Sequence, residues 1–349
     1  MLTRRDRVAA DLARCEVLSG AGQVDLESLA RLLTPFAAPA GTVLLRRGEI
    51  ADRFLLVTGG SARVAFGQEG AHKSAVVTEG SIVGEMALLR GTRVSATVSA
   101  QTDMRGLMGG RAAFTRLLAI PGVLDKVVTK ARQRLAAGMV PVSVTLRDGA
   151  TVGLRPIYPG DRRWLMKGQE QGLVSGTTLY DRFFTAGPVT PAVARYLTEV
   201  DYVDHFAWVA VDRAEVSVAG ASYVRSASDA ALADISFLIM DEFQGRGLGT
   251  LLMGAVAIAA RRNGIARFSA DILAENTAMR AILNHAGITW EPTQMGIVHG
   301  ILEVPDPGKF GVMPGTAAAL GELVDSCHAM GGQLQAWPVD HGRPELSGP

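Results

Sequence analysis

The residues of this chain best placed to do chemistry lie in one run, Gln244-Gly245-Arg246-Gly247-Leu248-Gly249-Thr250. The apolar stretch Ile235-Ser236-Phe237-Leu238-Ile239-Met240 precedes it, and Leu251-Leu252-Met253-Gly254-Ala255-Val256 follows. A strand, a glycine-rich turn and a helix in that order turn backbone N–H groups toward an anion at the helix N-terminus. Glycines let the backbone approach a phosphate, and Arg246 adds positive charge. Downstream, Glu275-Asn276-Thr277-Ala278-Met279-Arg280 opens a second helix, where Asn276 is a natural N-cap. Asp234 stands at the start of the strand, where a carboxylate can take a proton from a group held beside the loop. It can equally be an exposed strand-end residue. Asp241 and Glu242 directly precede the loop and are the weaker candidates for a base.

A second set of chemically suggestive residues is Gly84-Glu85-Met86-Ala87-Leu88-Leu89-Arg90-Gly91-Thr92-Arg93-Val94-Ser95-Ala96-Thr97-Val98. A short helix after Gly84 presents N–H groups to a phosphate, while a carboxylate accepts from a sugar hydroxyl. The elements around the two sets differ. Asp25-Leu26-Glu27-Ser28-Leu29-Ala30-Arg31-Leu32-Leu33 has helical spacing with Asp25 as N-cap. Short apolar runs at 42–45, 53–58, 62–66 and 74–78, separated by glycines, predict a small antiparallel barrel or roll. From Arg111 to Gly138 the pattern is helical, and Pro121 divides it into two helices. A new domain starts near Val142 and alternates strands (152–156, 206–211, 216–224 and the run before the loop) with helices. Past Pro305 the chain reads as loosely folded up to a helix at 316–330, with a disordered end.

Composition narrows the classes. At 349 residues the chain is long for a single core, and two domains are expected. Lys and Arg number 35 against 34 Asp and Glu, so bulk charge asks for neither nucleic acid nor an anionic membrane. No run approaches the roughly 20 apolar residues of a membrane span, and the charged start lacks the apolar block of a signal peptide. Cys15 and Cys327 stand far apart without metal-ligand neighbours, which predicts a reduced, cytoplasmic protein with no metal.

The loop Gln244-x-x-Gly247-x-Gly249 resembles the pyrophosphate loop of the GNAT N-acetyltransferases. The resemblance implies acetyl-coenzyme A as donor. Leu238, Ile239 and Met240 would line its pantetheine arm, Gln244, Gly245, Arg246, Gly247, Gly249 and Thr250 its pyrophosphate, and Asn276 and Arg280 its flank. Asp234 would be the base; the protein lysine acetyltransferases of this family carry Glu there. The Tyr that many relatives use to protonate the leaving thiolate is missing, and Asn284-His285-Ala286-Gly287 occupies its region. His285 reads as structural or exposed. The cassette at 84–98 resembles that of cyclic-nucleotide-binding domains, with Glu85 at the ribose position, Gly84 and Ala87 at close approach, and Met86 also counted to the nucleotide site. Val94 stands where that family places its phosphate-binding Arg; Arg93, one residue earlier, and Ser95 are the remaining donors.

Cassette, loop and the strip Tyr196-Leu197-Thr198-Glu199-Val200-Asp201-Tyr202-Val203-Asp204-His205-Phe206-Ala207-Trp208 together resemble the actinobacterial cyclic-AMP-dependent protein lysine acetyltransferases, over the chain to about Gly308. That implies an α+β protein: an N-terminal cyclic-nucleotide-binding β-roll with flanking helices (1–140), a GNAT domain with a mixed central sheet (141–310), and a partly helical, lid-associated tail (311–349). It further implies cyclic AMP as allosteric ligand, and His205 in the substrate-lysine position of the inhibited state. His205 can also be a hydrogen-bonded residue beside a strand. Implied acceptors are protein lysines of acyl-adenylate-forming enzymes such as acetyl-CoA synthetase, with a universal stress protein as a further candidate. Three rivals stand beside this. A cyclic-AMP-responsive transcription factor would need a basic helix-turn-helix in place of the phosphate loop. A coenzyme A-binding sensor without chemistry and a GNAT acting on a small amine share the loop, which says nothing of the acceptor.

Overall fold

The structure, a computed structural model, describes residues 4–66, 73–184 and 187–328. The end of the helix expected at 316–330 and the tail after it lie outside these. The chain divides into two compact units, the first running to Ala131 and the second covering Arg132–His328.

The first unit opens with helices α1 (Arg4–Ala13) and α2 (Gln23–Ala30). Eight strands follow: β1 (Leu33–Ala38), β2 (Val43–Leu45), β3 (Arg53–Gly59), β4 (Ser61–Phe66), β5 (Lys73–Thr78), β6 (Ile82–Val83), β7 (Thr97–Ala100) and β8 (Met104–Gly110). Helix α3 (Glu85–Arg90) interrupts them, and α4 (Arg111–Leu118) and the first half of α5 (Val123–Gly138), to Ala131, close the series on either side of Pro121. The strands form two four-stranded antiparallel sheets, ordered β1-β8-β3-β6 and β2-β7-β4-β5, which is the expected roll. Its core includes Phe54 and Leu56 of β3 and Phe114 of α4, with the two rings 5.4 Å apart. Asp25 is not the cap of α2. Gly22 holds that position, and the Asp25 carboxylate accepts from Arg116 Nη2 at 2.6 Å. The helix also stops before Leu33, because Pro35 cannot continue it and the chain pairs with β8 instead.

The second unit is an eight-stranded mixed sheet, ordered β15-β16-β14-β13-β12-β11-β10-β9. Its strands are β9 (Val142–Thr145), β10 (Thr151–Pro156), β11 (His205–Val211), β12 (Ser217–Arg225), β13 (Leu232–Ile239), β14 (Arg267–Leu273), β15 (Thr289–Pro292) and β16 (Ile297–Glu303). Helices α6 (Arg162–Glu170), α7 (Gly176–Phe183) and α8 (Pro191–Thr198) come between β10 and β11. Helix α9 (Leu248–Arg262) crosses from β13 to β14, α10 (Thr277–Ala286) follows β14, and α11 (Pro314–His328) comes last. Every neighbouring pair is antiparallel except β13 and β14. A helical crossover is what a parallel pair requires.

Helix α9 is buried along almost its whole length, from Leu248 to Ala260, which is why its sequence is apolar all round. Trp208 of β11 donates its indole N–H to the Ala255 carbonyl at 2.8 Å. On the other side Phe310 and Val312 are buried, and a Cβ on Gly254 would lie 2.5 Å from Val312 Cγ2. The stretch after Pro305 is therefore packed rather than loose: a turn at Pro307–Phe310 and then α11 cover α9. The apolar residues Phe310, Val312, Leu320 and Val324 supply the driving force.

Candidate active site

The parallel pair that carries the site is short. β13 and β14 are in register only at Leu232, Asp234 and the residue between them, against Arg267, Ser269 and Phe268. Beyond Asp234 the strands diverge, and the β13 edge from Ile235 to Ile239 faces a cleft of about 620 Å³. An unpaired strand edge of this kind offers N–H and C=O groups to an extended ligand. At the far end of the cleft the chain turns through the glycine loop. Gly245 has φ 73° and Gly247 φ 86°, left-handed values that glycine adopts without strain. Gly247 is the N-cap of α9, and among the described residues no side chain caps the helix, so its first-turn N–H groups are left to the cleft. Strand edge, glycine turn and helix N-terminus together fit a long ligand with an apolar or amide arm and a phosphate group.

Of the residues expected around this ligand, Leu238, Ile239, Gln244, Gly245, Gly247, Gly249, Thr250 and Asn276 border the cleft. Gly249 also serves packing, because a Cβ there would lie 2.8 Å from Ile282 Cδ1 and 3.2 Å from Ile239 Cδ1. Asn276 is the N-cap of α10, accepting from the Met279 N–H at 2.9 Å, and it borders the cleft as well. Three residues do not border the cleft. Met240 turns into a smaller apolar cavity under α6, α7 and α8. Arg280 donates to the Ala274 carbonyl at 3.0 Å. Arg246 is ion-paired with Asp148 and lies 4.8 Å over the Phe243 ring; that contact holds the Asp148 carboxyl below its usual pKa. The arginine that does border the loop is Arg147, which sequence reasoning missed. A Cβ on Gly247 would meet Arg147 Cγ, Cδ and Nε at 3.1 Å. No local motif marks it, because it reaches the loop from the β9–β10 turn.

Asp234 is exposed at the fork, accepts from Ser269 Oγ and borders the cleft. Sheet register places His205, Val224, Asp234 and Ser269 in one row across β11, β12, β13 and β14. Residues directly opposite share a face, so His205 and Asp234 look into the same space. The His205 ring lies 5.0 Å from that of Tyr196, and its backbone N–H donates to Asp201 Oδ1 at 3.0 Å. Burial lowers its pKa, and Nε2 has no partner among the described residues. The imidazole is therefore neutral near pH 7. Asp241 accepts from Thr178 Oγ1 at 2.8 Å and from the Ser175 N–H at 3.1 Å, and Gln244 donates to Thr178 Oγ1 at 3.0 Å. These bonds tie α7 to the loop. His285 bonds the Lys309 carbonyl at 3.1 Å and meets the Phe310 ring edge-on, away from the cleft.

In the first unit, Gly84 has φ 91° and a Cβ there would lie 2.9 Å from the Arg53 carbonyl, so the cassette turn requires glycine. Glu85 opens α3 and is fully buried, with Ala87 buried beside it and Met86 half-buried. Val94 is buried, and its backbone pairs with Gly48 and Glu49 at 2.8 and 2.9 Å. Arg93 is exposed and donates to the Gly48 carbonyl at 2.8 Å; Ser95 is exposed as well. Alternate residues of an extended segment face opposite ways, so Arg93 and Ser95 point away from the interior that Val94 faces. Among the described residues no His, Cys, Asp and Glu cluster could hold a metal ion, and no helix is long and apolar enough to cross a membrane.

Comparison with known proteins finds a domain family for each half of the chain. The cyclic nucleotide-binding domain family matches residues 36–120, and the acetyltransferase (GNAT) domain family matches residues 152–289. The chain is 40% identical to "Acetyltransferase Pat" of Mycolicibacterium smegmatis over 299 residues, which is 85% of this chain and 89% of that relative. A solved "cAMP-binding acyltransferase from Mycobacterium smegmatis" is 34% identical, covering 94% of this chain and 98% of that one, with a TM-score of 0.49. The GNAT domain of S. lividans PAT is 31% identical over 47% of this chain and 96% of its own, with a TM-score of 0.44.

Proposed function

This chain belongs to the family of Pat acetyltransferases, and on that premise we propose that it is a protein Nε-lysine acetyltransferase controlled by cyclic AMP. The observation that carries this is the opening of β13 from β14 beside an uncapped helix N-terminus, with Asp234 at the fork. Acetyl-coenzyme A supplies the acetyl group. Leu238 and Ile239 with the β13 backbone hold its arm, and Gln244, Gly245, Gly247, Thr250 and Asn276 enclose its phosphates, with Arg147 providing the charge. Lysine is protonated at neutral pH, its pKa being about 10.4, so the amine must lose a proton before it attacks. Asp234 takes that proton, directly or through one water, since Asp is a methylene shorter than Glu. Ser269 donates to the Asp234 carboxylate and fixes its orientation. The amine then attacks the thioester carbonyl, and coenzyme A leaves as the thiol.

The proposed regulation is supported by the row that His205 and Asp234 share. A neutral imidazole with a free Nε2 can occupy the place of the acceptor lysine and block it. Cyclic AMP, bound at Gly84, Glu85, Met86 and Ala87, favours the open state by as much as its affinity differs between the two. Residues 1–140 would then be the regulatory domain, 141–310 the catalytic one and 311–349 an associated tail. Acceptors of this kind are cytoplasmic acyl-adenylate-forming enzymes such as acetyl-CoA synthetase, with a universal stress protein as an additional candidate. The test is lysine acetylation of acetyl-CoA synthetase by the full chain, followed by mass spectrometry with and without cyclic AMP. Acetyl-lysine that rises with nucleotide supports the proposal. Equal rates with and without it remove the regulatory part, and acetylation of small amines alone removes the protein acceptor.

A further inference from the structure

Helix α7 carries a cation that neither the phosphate loop nor acetyl transfer uses. Arg182 Nη2 donates to Ser236 Oγ at 2.6 Å, and Ser236 Oγ lies 2.8 Å from Ser222 Oγ. The guanidinium also sits 4.8 Å over the Phe183 ring. Among the described residues no carboxylate pairs with it. Burial pulls its pKa down to about 10, the opposite of what a paired arginine shows. A half-buried guanidinium without a counter-charge is partly stripped of water, and the cost falls when a ligand brings the anion.

Its place in the cleft says which ligand. Ser236 is two residues beyond Asp234 on β13, so both side chains face the same way, and Ser222 is the β12 partner of Ser236. Arg182 borders the cleft and also a smaller, mostly apolar pocket of about 80 Å³ lined by Trp164, Leu165, Val218 and Leu238. A group extending from the fork past Ser236 therefore meets apolar walls and a guanidinium together. Methylenes ending in a carboxylate match that sequence of surfaces.

We propose that Arg182 recognises acyl donors that end in a carboxylate, so that this protein transfers short dicarboxylic acyl groups from their coenzyme A monothioesters to lysine. This rests on the reading that the donor thioester lies along β13 near Asp234. The lysine nitrogen forms a C–N bond to the thioester carbonyl carbon, and the C–S bond breaks with its electron pair going to sulfur. One ammonium proton passes to Asp234 before attack, and the second proton lost as the nitrogen becomes an amide goes to the departing thiolate, giving the free thiol. Nothing is oxidised or reduced. The distal carboxylate is unchanged, so lysine exchanges a positive charge for a negative one.

An acidic residue beside the acceptor lysine could supply the same carboxylate, and the experiment separates the two sources. The full chain is assayed with succinyl-CoA and acetyl-CoA on one acceptor, products being identified by mass. Succinyl-lysine is expected from the unmodified chain. Arg182→Gln is expected to lower the ratio of kcat/KM for succinyl-CoA to that for acetyl-CoA by about 10- to 100-fold. Arg182→Lys keeps the charge and loses the planar fork, so it should lower the ratio by only about tenfold or less; it serves as the test if the Gln variant fails to fold. No succinyl transfer by the unmodified chain, or a ratio that Arg182→Gln leaves unmoved, overturns the proposal. So does a loss confined to acceptor peptides with an acidic neighbour. If neither donor supports transfer, the acetyltransferase reading fails on its own. Calorimetry then decides on Arg182: a preference for succinyl-CoA lost in the variant upholds it, and equal binding overturns it.

Discussion

Arg147→Ala and Arg246→Ala separate two arginines that flank one phosphate loop. Arg246 belongs to the motif, yet its guanidinium is held by Asp148 and stacked on Phe243. Arg147 lies across Gly247, borders the cleft and makes no ion pair among the described residues. A charge-assisted hydrogen bond to phosphate contributes about 1.5–3 kcal/mol, which is roughly 10- to 150-fold in Kd. Arg147→Ala should weaken acetyl-CoA binding by that factor. Arg246→Ala breaks a solvent-facing pair first and should cost no more than about fivefold. Asp148→Asn releases Arg246 toward the loop and should tighten binding. Calorimetric titration with acetyl-CoA at low and high salt measures all three, and dephospho-CoA tells a pyrophosphate contact from one to the 3′-phosphate. Contacts this far from the thioester act equally on ground and transition states, so KM should rise with kcat little changed. A larger loss in Arg246→Ala than in Arg147→Ala would refute the assignment.

Asp234→Asn preserves the shape opposite Ser269 and removes the base. Its kcat/KM should fall by about 10²- to 10⁴-fold near neutral pH and climb with pH toward the lysine pKa of about 10.4; an unaltered pH profile counts against the base. Burial lowers the pKa of both His205 and His328 in the folded chain. The unfolded chain therefore binds more protons between the folded values and about 6.5, so their contribution to stability is complete above that pH and declines as pH falls through the folded values. Denaturant midpoints measured on acidification should drop less in His205→Asn/His328→Asn than in the unmodified chain, and parallel curves would refute this. Val94 faces the barrel interior while Arg93 is spent on the Gly48 carbonyl. Val94→Arg should raise cyclic AMP affinity by about 10- to 100-fold in calorimetry, and no gain would place the phosphate elsewhere.

What could be read in advance from the chain, and what could not, divides along the range of the interaction. The left-handed turn at Gly247 is local chemistry, and so are the Asn276 cap and the helix break at Pro121; each was visible in a few consecutive residues. The short strands of the roll announced themselves by spacing alone. Asp25 misled because a helix cap and an ion pair want the same carboxylate, and only the fold brings Arg116 within 2.6 Å. Arg246 misled in the same manner: the motif supplies its position, while Asp148, brought over by the β9–β10 turn, decides where the side chain goes. The row of His205, Asp234 and Ser269 is a matter of register between strands far apart in sequence, and register follows from the whole hydrophobic pattern rather than from any short stretch. Arg182 lies furthest from local view, since its half-buried place beside Ser236, without a carboxylate partner among the described residues, exists only once α7 has docked on β13. Charges that look interchangeable along the chain thus acquire distinct tasks from the partners that packing gives them, and Arg182, with hydroxyl and ring partners but no carboxylate among the described residues, is where a ligand's charge can be sought.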